Sequence, residues 1–352
     1  MSLRILYGIQ GTGNGHLTRA RVMAERLAAA GVEADYLISG RPREALFGVE
    51  PFADFALCAG LTFAHRHGRI DLWRTLRQAG LRRLWQDVRS LDLSRYDLVI
   101  TDFEPVVAWA AKRHGVPSLA LSHQACFGHA AVPRAGFDPA SRLVMGLFAP
   151  ASRAVGLHWH HFDGPLLPPV IDTSISASGC EQRTIVVYLP FEEPAAIRQL
   201  LQPFAGWQFL CFHPESSGQP AIDGPLRWLP LCRQRFPEAI AGCGGIIANS
   251  GFELPSEALH LGKKLLVKPL QGQFEQQSNA LALAQLGLAA TMNQLDGASV
   301  ARFLALPAAA PRPWPDVAAT LAGWLASGGD ERQLPLLHQQ LWQGVRPLAS
   351  AA

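Results

Sequence analysis

The sequence predicts an α/β protein: two doubly wound parallel-sheet domains that face each other across a cleft. Three observations carry that reading. A glycine turn, Gly11-Thr12-Gly13-Asn14-Gly15-His16, directly follows an apolar run at residues 3–9. A second turn, Asn249-Ser250-Gly251, follows Gly244-Gly245-Ile246-Ile247-Ala248 and precedes Ser256-Glu257-Ala258-Leu259. Each reads as a strand handing over to a helix N-terminus, where backbone N–H groups and the positive end of the helix dipole are on offer. Third, strand–helix alternation stops at a Pro-rich stretch near residue 164 and then restarts, which means parallel sheet with helices on both faces.

The elements follow in order. Residues 4–9 form a strand. Residues 17–30 form a helix with Leu17, Ala20, Met23, Ala24 and Leu27 on one face, stopped by Gly31. Strands are expected at 32–39, 97–101, 118–122 and 154–158, with a helix at 105–114. The stretch 164–183 is rich in Pro, Ser and Gly and reads as the linker between an N-terminal domain (1–163) and a C-terminal one (184–330). In the second half, strands are expected at 184–189, 208–212, 227–229, 246–249 and 264–268, and helices at 193–201, 255–261 and 279–286. A last helix within 331–352 is expected to pack back on the N-terminal domain.

Composition excludes several classes. An apolar fraction of 49% supports buried cores, and 17% charged residues argue against disorder. A net charge of +3 does not point to nucleic acid as a partner. Six scattered cysteines with no C-x-x-C pair speak against a zinc site and for a reduced, cytoplasmic chain. No 18-residue apolar stretch exists to span a membrane, and the N-terminus reads as a strand rather than a leader. Segment 61–95 differs in character. There Arg66, Arg69, Arg74, Arg77, Arg82, Arg83 and Arg89 interleave with Leu72, Trp73, Leu76, Leu81, Leu84 and Trp85. Such a surface is either a solvated basic face or a peripheral contact with the inner face of a membrane or an anionic acceptor.

Candidate chemistry gathers at strand ends. The first turn misses the third glycine of a dinucleotide fingerprint, because His16 stands there. A neutral imidazole in the first turn of a helix is a candidate general base. Asp102 follows strand 97–101, so parallel-sheet topology puts it on the same rim as His16, where it can orient the base or cap the next helix. His123 and Gln124 follow another strand on that rim and are candidates for the acceptor side, with His123 equally open to being a satisfied structural histidine. His158-Trp159-His160-His161 is a poor metal set, because neighbours on a strand face opposite ways; no metal is expected. At the second turn, Ser250 and Gly251 can present a hydroxyl and backbone N–H groups to a diphosphate, Phe252 beside them is a donor-binding candidate, and Glu257 lies on the helix beyond to accept from ribose hydroxyls. Gln273, Glu275 and Gln276, after strand 264–268, suit hydrogen bonds to sugar hydroxyls.

Taken together, the Gly11–His16 turn, Asn249-Ser250-Gly251 with Ser256-Glu257-Ala258, Leu261-Gly262-Lys263 and residues 271–279 resemble GT-B glycosyltransferases of the family-28-like group. The stretch 97–121 is also similar to plant-type UDP-glycosyltransferases. The resemblance implies two Rossmann-like domains, the donor held mainly by the C-terminal half and the acceptor by the N-terminal half. Ser250 and Gly251 would hold the diphosphate, Glu257 the ribose, and Glu275 and Gln276 the donor sugar. Gly13, Asn14 and Gly15 would let the donor approach the backbone closely. His16 would deprotonate the acceptor hydroxyl, with Asp102 steadying it. The implied activity is an inverting, metal-independent transfer from a nucleotide sugar, UDP-linked, with no cofactor, to an acceptor that is lipid-linked or anionic. A UDP-sugar 2-epimerase and a non-catalytic nucleotide-sugar-binding protein remain alternatives. Glu253 departs from the pattern by bringing a carboxylate to the expected phosphate site.

Overall fold

The computed structural model describes residues 3–347 apart from 62–64, 67–68, 71–79, 137–145, 178, 180, 217–219 and 233. Its first half holds the strands β1 (Arg4–Gln10), β2 (Glu33–Ser39), β3 (Ala56–Cys58), β4 (His65–Arg66), β5 (Arg69–Ile70), β6 (Leu98–Asp102), β7 (Ser118–Ser122) and β8 (Arg153–Gly156). Six of them make one parallel sheet in the order β3-β2-β1-β6-β7-β8, and β4 pairs only with β5. The helices are α1 (Asn14–Ala29), α2 (Leu81–Ser90) and α3 (Pro105–His114). Ile5 to Gln10 of β1 are all buried, as a central parallel strand covered on both faces requires.

A second sheet follows from β9 (Glu181–Tyr188), β10 (Gln208–Phe212), β11 (Ala221–Asp223), β12 (Leu226–Leu229), β13 (Cys243–Asn249), β14 (Lys264–Lys268) and β15 (Ala290–Thr291). Its order is β11-β12-β10-β9-β13-β14-β15, parallel except for the edge strand β11. Around it lie α4 (Pro194–Leu201), α5 (Arg235–Gly242), α6 (Glu253–His260), α7 (Phe274–Gln285) and α8 (Gly297–Ala305). The two Rossmann-like α/β domains expected from the sequence are therefore present. Strand order reverses between β1 and β6 in one sheet and between β9 and β13 in the other. Ligands of open α/β sheets bind at such reversals, beyond the C-terminal strand ends. Both glycine turns sit at those points.

The Pro-rich stretch is more than a tether. Leu166, Leu167, Val170 and Ile171 are buried in it, and Leu167 bridges to Leu157 where the expected strand 154–158 had continued past Gly156. Beyond α8 the chain returns to the first domain. The helix α9 (Val317–Ala326) packs on α1, tied by Arg26–Asp316 at 2.9 Å. The last helix, α10 (Leu334–Gln343), reaches the Pro-rich stretch through the Trp342 indole N–H, which donates to the Leu166 carbonyl at 2.6 Å.

Candidate active site

The register of the first sheet aligns three strand ends: Gln10 opposite Ser39, and Ile9 opposite Asp102. The turn after β1 then closes tightly, with the Gly11 N–H donating to the Ser39 carbonyl at 2.7 Å. A Cβ on Gly11 would lie 2.8 Å from that same oxygen, so only glycine fits. The turn delivers His16 into the first turn of α1. His16 Nδ1 lies 2.8 Å from Asp102 Oδ1, so the topological expectation becomes a direct contact.

The contact is part of a four-group cluster that sequence reasoning missed. Arg19, one turn beyond His16 on α1, is 2% exposed. It grips Asp102 side-on, Nε to Oδ2 at 2.9 Å and Nη2 to Oδ1 at 2.5 Å. Its Nη2 also lies 3.0 Å from His16 Nδ1. Its remaining Nη1 pairs with Glu253 Oε1 of the opposite domain. Glu253 thus points away from the phosphate turn, onto a cation, which explains a carboxylate at that position. Burial works to raise the Asp102 carboxyl, but Arg19 and His16 outweigh it and hold it below its usual range. Burial pushes Glu253 up to about 8; Arg19 opposes the shift, and the charges of Asp102 and Glu257 add to it. An ionised Asp102 only accepts, so His16 Nδ1 donates to it and Nε2 is left with a lone pair.

The second turn is tied differently from the sequence expectation. The Ser250 hydroxyl is buried and donates to the Gln276 carbonyl at 2.8 Å, so it is not spare for a phosphate in this arrangement. The Gln276 side chain accepts from the Leu270 N–H at 3.1 Å, bracing the loop. Asn249 Nδ2 donates to the Lys268 carbonyl at 3.0 Å. Gly251, by contrast, opens onto free space: a Cβ there would meet nothing within 4 Å. His123 lines the cavity wall without being exposed. It is fully buried, donates from Nδ1 to the Leu157 carbonyl at 2.9 Å, faces Asn279 Oδ1 from Nε2 at 2.6 Å, and stacks on Phe252 at 4.0 Å. Burial lowers its pKa. The physical reason is domain contact: a residue placed on one rim by topology becomes a wedge when the other domain closes over it. Gln124 also spans the gap, donating to Glu275 Oε2 at 3.0 Å.

These residues enclose a cavity of about 410 Å³ between the domains. Gly13, Asn14, Gly15, His16, Gly251, Phe252, Gln273, Glu275 and Gln276 all line it, as do His123 and Gln124. Residues not foreseen include Arg41 and Phe103. Arg41 hydrogen-bonds neutral oxygens, Asn14 Oδ1 at 2.9 Å and the Thr12 carbonyl at 2.8 Å, and no carboxylate pairs with it among the described residues. Phe103 has φ of 53°, a conformation that costs a non-glycine residue energy, and stacks on Phe148 at 4.6 Å. Glu257 lines an adjoining cavity of about 330 Å³ instead, with Tyr188, Leu231 and Phe236. The two cavities share Asn14, Gly15, Tyr188, Glu253 and Leu254. Burial pushes Glu257 up to about 7, with Arg21 opposing. No group of three or more His, Cys, Asp and Glu side chains suited to a metal occurs among the described residues. His160 and His161 stack at 4.5 Å, and each Nδ1 accepts a nearby backbone N–H.

Of segment 61–95, Leu72, Trp73, Arg74, Leu76 and Arg77 lie outside the described residues. On α2, Leu84 is buried while Leu81 and Trp85 are exposed. No helix among the described residues is long and apolar enough to cross a membrane.

No curated protein sequence matches the chain. Solved structures do. The glycotransferase of kitacinnamycin is 16% identical with a TM-score of 0.59, covering 97% of this chain and 99% of that one. SnogD from Streptomyces nogalater is 16% identical with a TM-score of 0.56, covering 97% and 96%. MurG of Acinetobacter baumannii is 15% identical with a TM-score of 0.55, covering 97% and 100%. At these identities the likeness concerns the fold, the two-domain GT-B architecture. The sequence profile of glycosyl transferase family 1 matches residues 3–307. That match covers both domains and both turns, and the chain belongs to glycosyl transferase family 1.

Proposed function

We propose that this glycosyltransferase moves a sugar from a nucleotide sugar, UDP-linked, to an acceptor hydroxyl with inversion. The observation that carries this is the His16–Asp102 contact of 2.8 Å on the wall of the same cavity that holds the second glycine turn. The acceptor oxygen attacks C1 as its proton passes to His16 Nε2. The bond from C1 to the diphosphate oxygen breaks, and the nucleoside diphosphate leaves. Attack opposite the leaving group inverts C1. The leaving charge is met by Gly251 and the N-terminus of α6, with Arg41 across the cleft, so positive field is supplied by the chain itself. The base and ribose belong in the adjoining cavity, where Phe236, Tyr188 and Leu231 offer apolar surface and Glu257 a carboxylate.

The first domain, to which we assign the acceptor, carries a basic, aromatic patch. Trp85 lies 5.4 Å from Trp109, whose indole N–H donates to the carbonyl of the exposed Leu147 at 3.1 Å; Lys112 sits 5.0 Å over the Trp109 ring, and the exposed Leu81 is followed on α2 by Arg82 and Arg83. This patch fits an anionic lipid surface, and hence a lipid-linked acceptor.

His16→Ala should lower transfer by about 10²- to 10⁴-fold while calorimetric affinity for UDP-sugar stays within about threefold, because truncation removes the proton acceptor and leaves the diphosphate contacts. Turnover at the wild-type rate would refute the mechanism. Loss of UDP binding in Glu257→Ala anchors the donor to the second domain; unchanged binding there removes Glu257 from the ribose site.

A further inference from the structure

Glu253 is the second-domain member of the cluster around His16. Its helix, α6, grows from the second sheet, yet its Oε1 takes Nη1 of Arg19 on α1. Among the described residues Arg19 has one other set of ionic partners, the two oxygens of Asp102. The guanidinium is planar, so fixing Nη1 fixes the directions of Nε and Nη2. In the observed arrangement both of those nitrogens face Asp102. Nη2 is also 3.0 Å from His16 Nδ1. A modest rotation of the guanidinium would turn an Nη2 proton from Asp102 to Nδ1. His16 would then accept at Nδ1 and carry its own proton on Nε2, the nitrogen that faces the cavity. That tautomer cannot take a proton from an acceptor.

We propose that Glu253 is a positioning residue that holds Arg19 in the orientation keeping the His16 proton on Nδ1. The hold is made across the cleft, by the domain opposite the base. It ties the competence of His16 to the closed relation of the two domains. The role needs a hydrogen-bond acceptor at Oε1 rather than a full negative charge, so glutamine should serve where alanine does not. Glu253 Oε2 has no hydrogen-bond partner among the described residues. The side chain therefore has one partner to serve, Arg19.

This rests on the reading of His16 as the base, so the test has one arm that needs no transfer. Histidine-ring ¹⁵N NMR on the full chain reads the tautomer of His16 directly. Wild type and Glu253→Gln should show the Nδ1–H tautomer, and Glu253→Ala a substantial Nε2–H population. Circular dichroism and thermal melting confirm that each variant is folded. In the kinetic arm, Glu253→Ala should lower kcat about 10- to 100-fold with donor KM changed less than threefold, the range expected when a general base is impaired. Glu253→Gln should recover most of the loss. In a His16→Ala background, Glu253→Ala should cost nothing further, since two residues acting as one unit are non-additive. An unchanged His16 tautomer in folded Glu253→Ala overturns the proposal, as does a fully multiplicative double variant. If the tautomer shifts but no transfer is ever measured, the positioning stands and the transferase mechanism fails.

Discussion

Replacing Arg19 by Met is the sharpest test of how the two domains are joined. Arg19 is 2% exposed, Asp102 0% and Glu253 6%, so the substitution leaves two buried carboxylates with no cation between them. A methionine fills much the same space, so packing loss is small beside the electrostatic one. Breaking a buried ion pair from one side costs about 3–5 kcal/mol, because the stranded charge is dehydrated and unpaired. For 352 residues the unfolding entropy is roughly 0.7 kcal/mol per kelvin, so the melting temperature should fall by about 4–7 °C if the chain melts cooperatively. The loss must also depend on pH. In the wild type Glu253 is already raised to about 8 by burial, whereas Asp102 is held low, chiefly by Arg19 against the effect of burial. Without Arg19 both carboxyls rise. A raised folded-state carboxyl binds more protons than its unfolded counterpart, so its contribution falls as pH climbs from the unfolded pKa to the folded one. Asp102 in the wild type has the opposite sign: its stabilisation is present above the ordinary carboxylate range and is lost as pH drops through its lowered value. Arg19→Met should therefore be more destabilised at pH 8 than at pH 5. Calorimetric or dichroic melts at the two pH values read this directly. A shift below about 1 °C at pH 8, or an equal shift at both, would refute the reasoning.

The two glycine turns should separate by assay. Gly11→Ala drives a Cβ to 2.8 Å from the Ser39 carbonyl and should cost about 1–3 kcal/mol of stability in a denaturant melt. Gly251→Ala meets nothing within 4 Å and should leave stability unchanged while weakening UDP-sugar binding in calorimetry; equal binding would remove that turn from the donor site. Trp85→Glu should cut sedimentation with anionic vesicles by about tenfold or more at low salt and leave neutral vesicles unaffected. Equal sedimentation of both proteins would dissociate the exposed face of α2 from lipid.

Much of the fold was legible because local chemistry specified it. Apolar runs ending in glycine marked β1 and β13, and the 3.6-residue stripe marked α1. Elements without a clean period escaped: α9 is apolar nearly all round, α5 and α8 are short, and β3, β11 and β15 are two or three residues long at sheet edges. Arg19 left one overlooked signal. It lies three residues after His16 and four before the buried Met23, a lone arginine on the core-facing stripe. Such a residue is buried only if it is paired, and nothing nearby in sequence could pair it.

By itself the sequence determined that His16 and Asp102 share a rim, because parallel strands put their C-terminal ends on one edge. It also determined that two such rims exist. Only the tertiary structure decided how the rims meet. Arg19 and Glu253 are 234 residues apart, as are no two residues within a single element, and His123 is buried where the second domain closes over it. The reason is physical. Periodicity and turn chemistry act over a few residues, whereas a buried charge is satisfied by whatever partner the docking of two domains brings within hydrogen-bond reach.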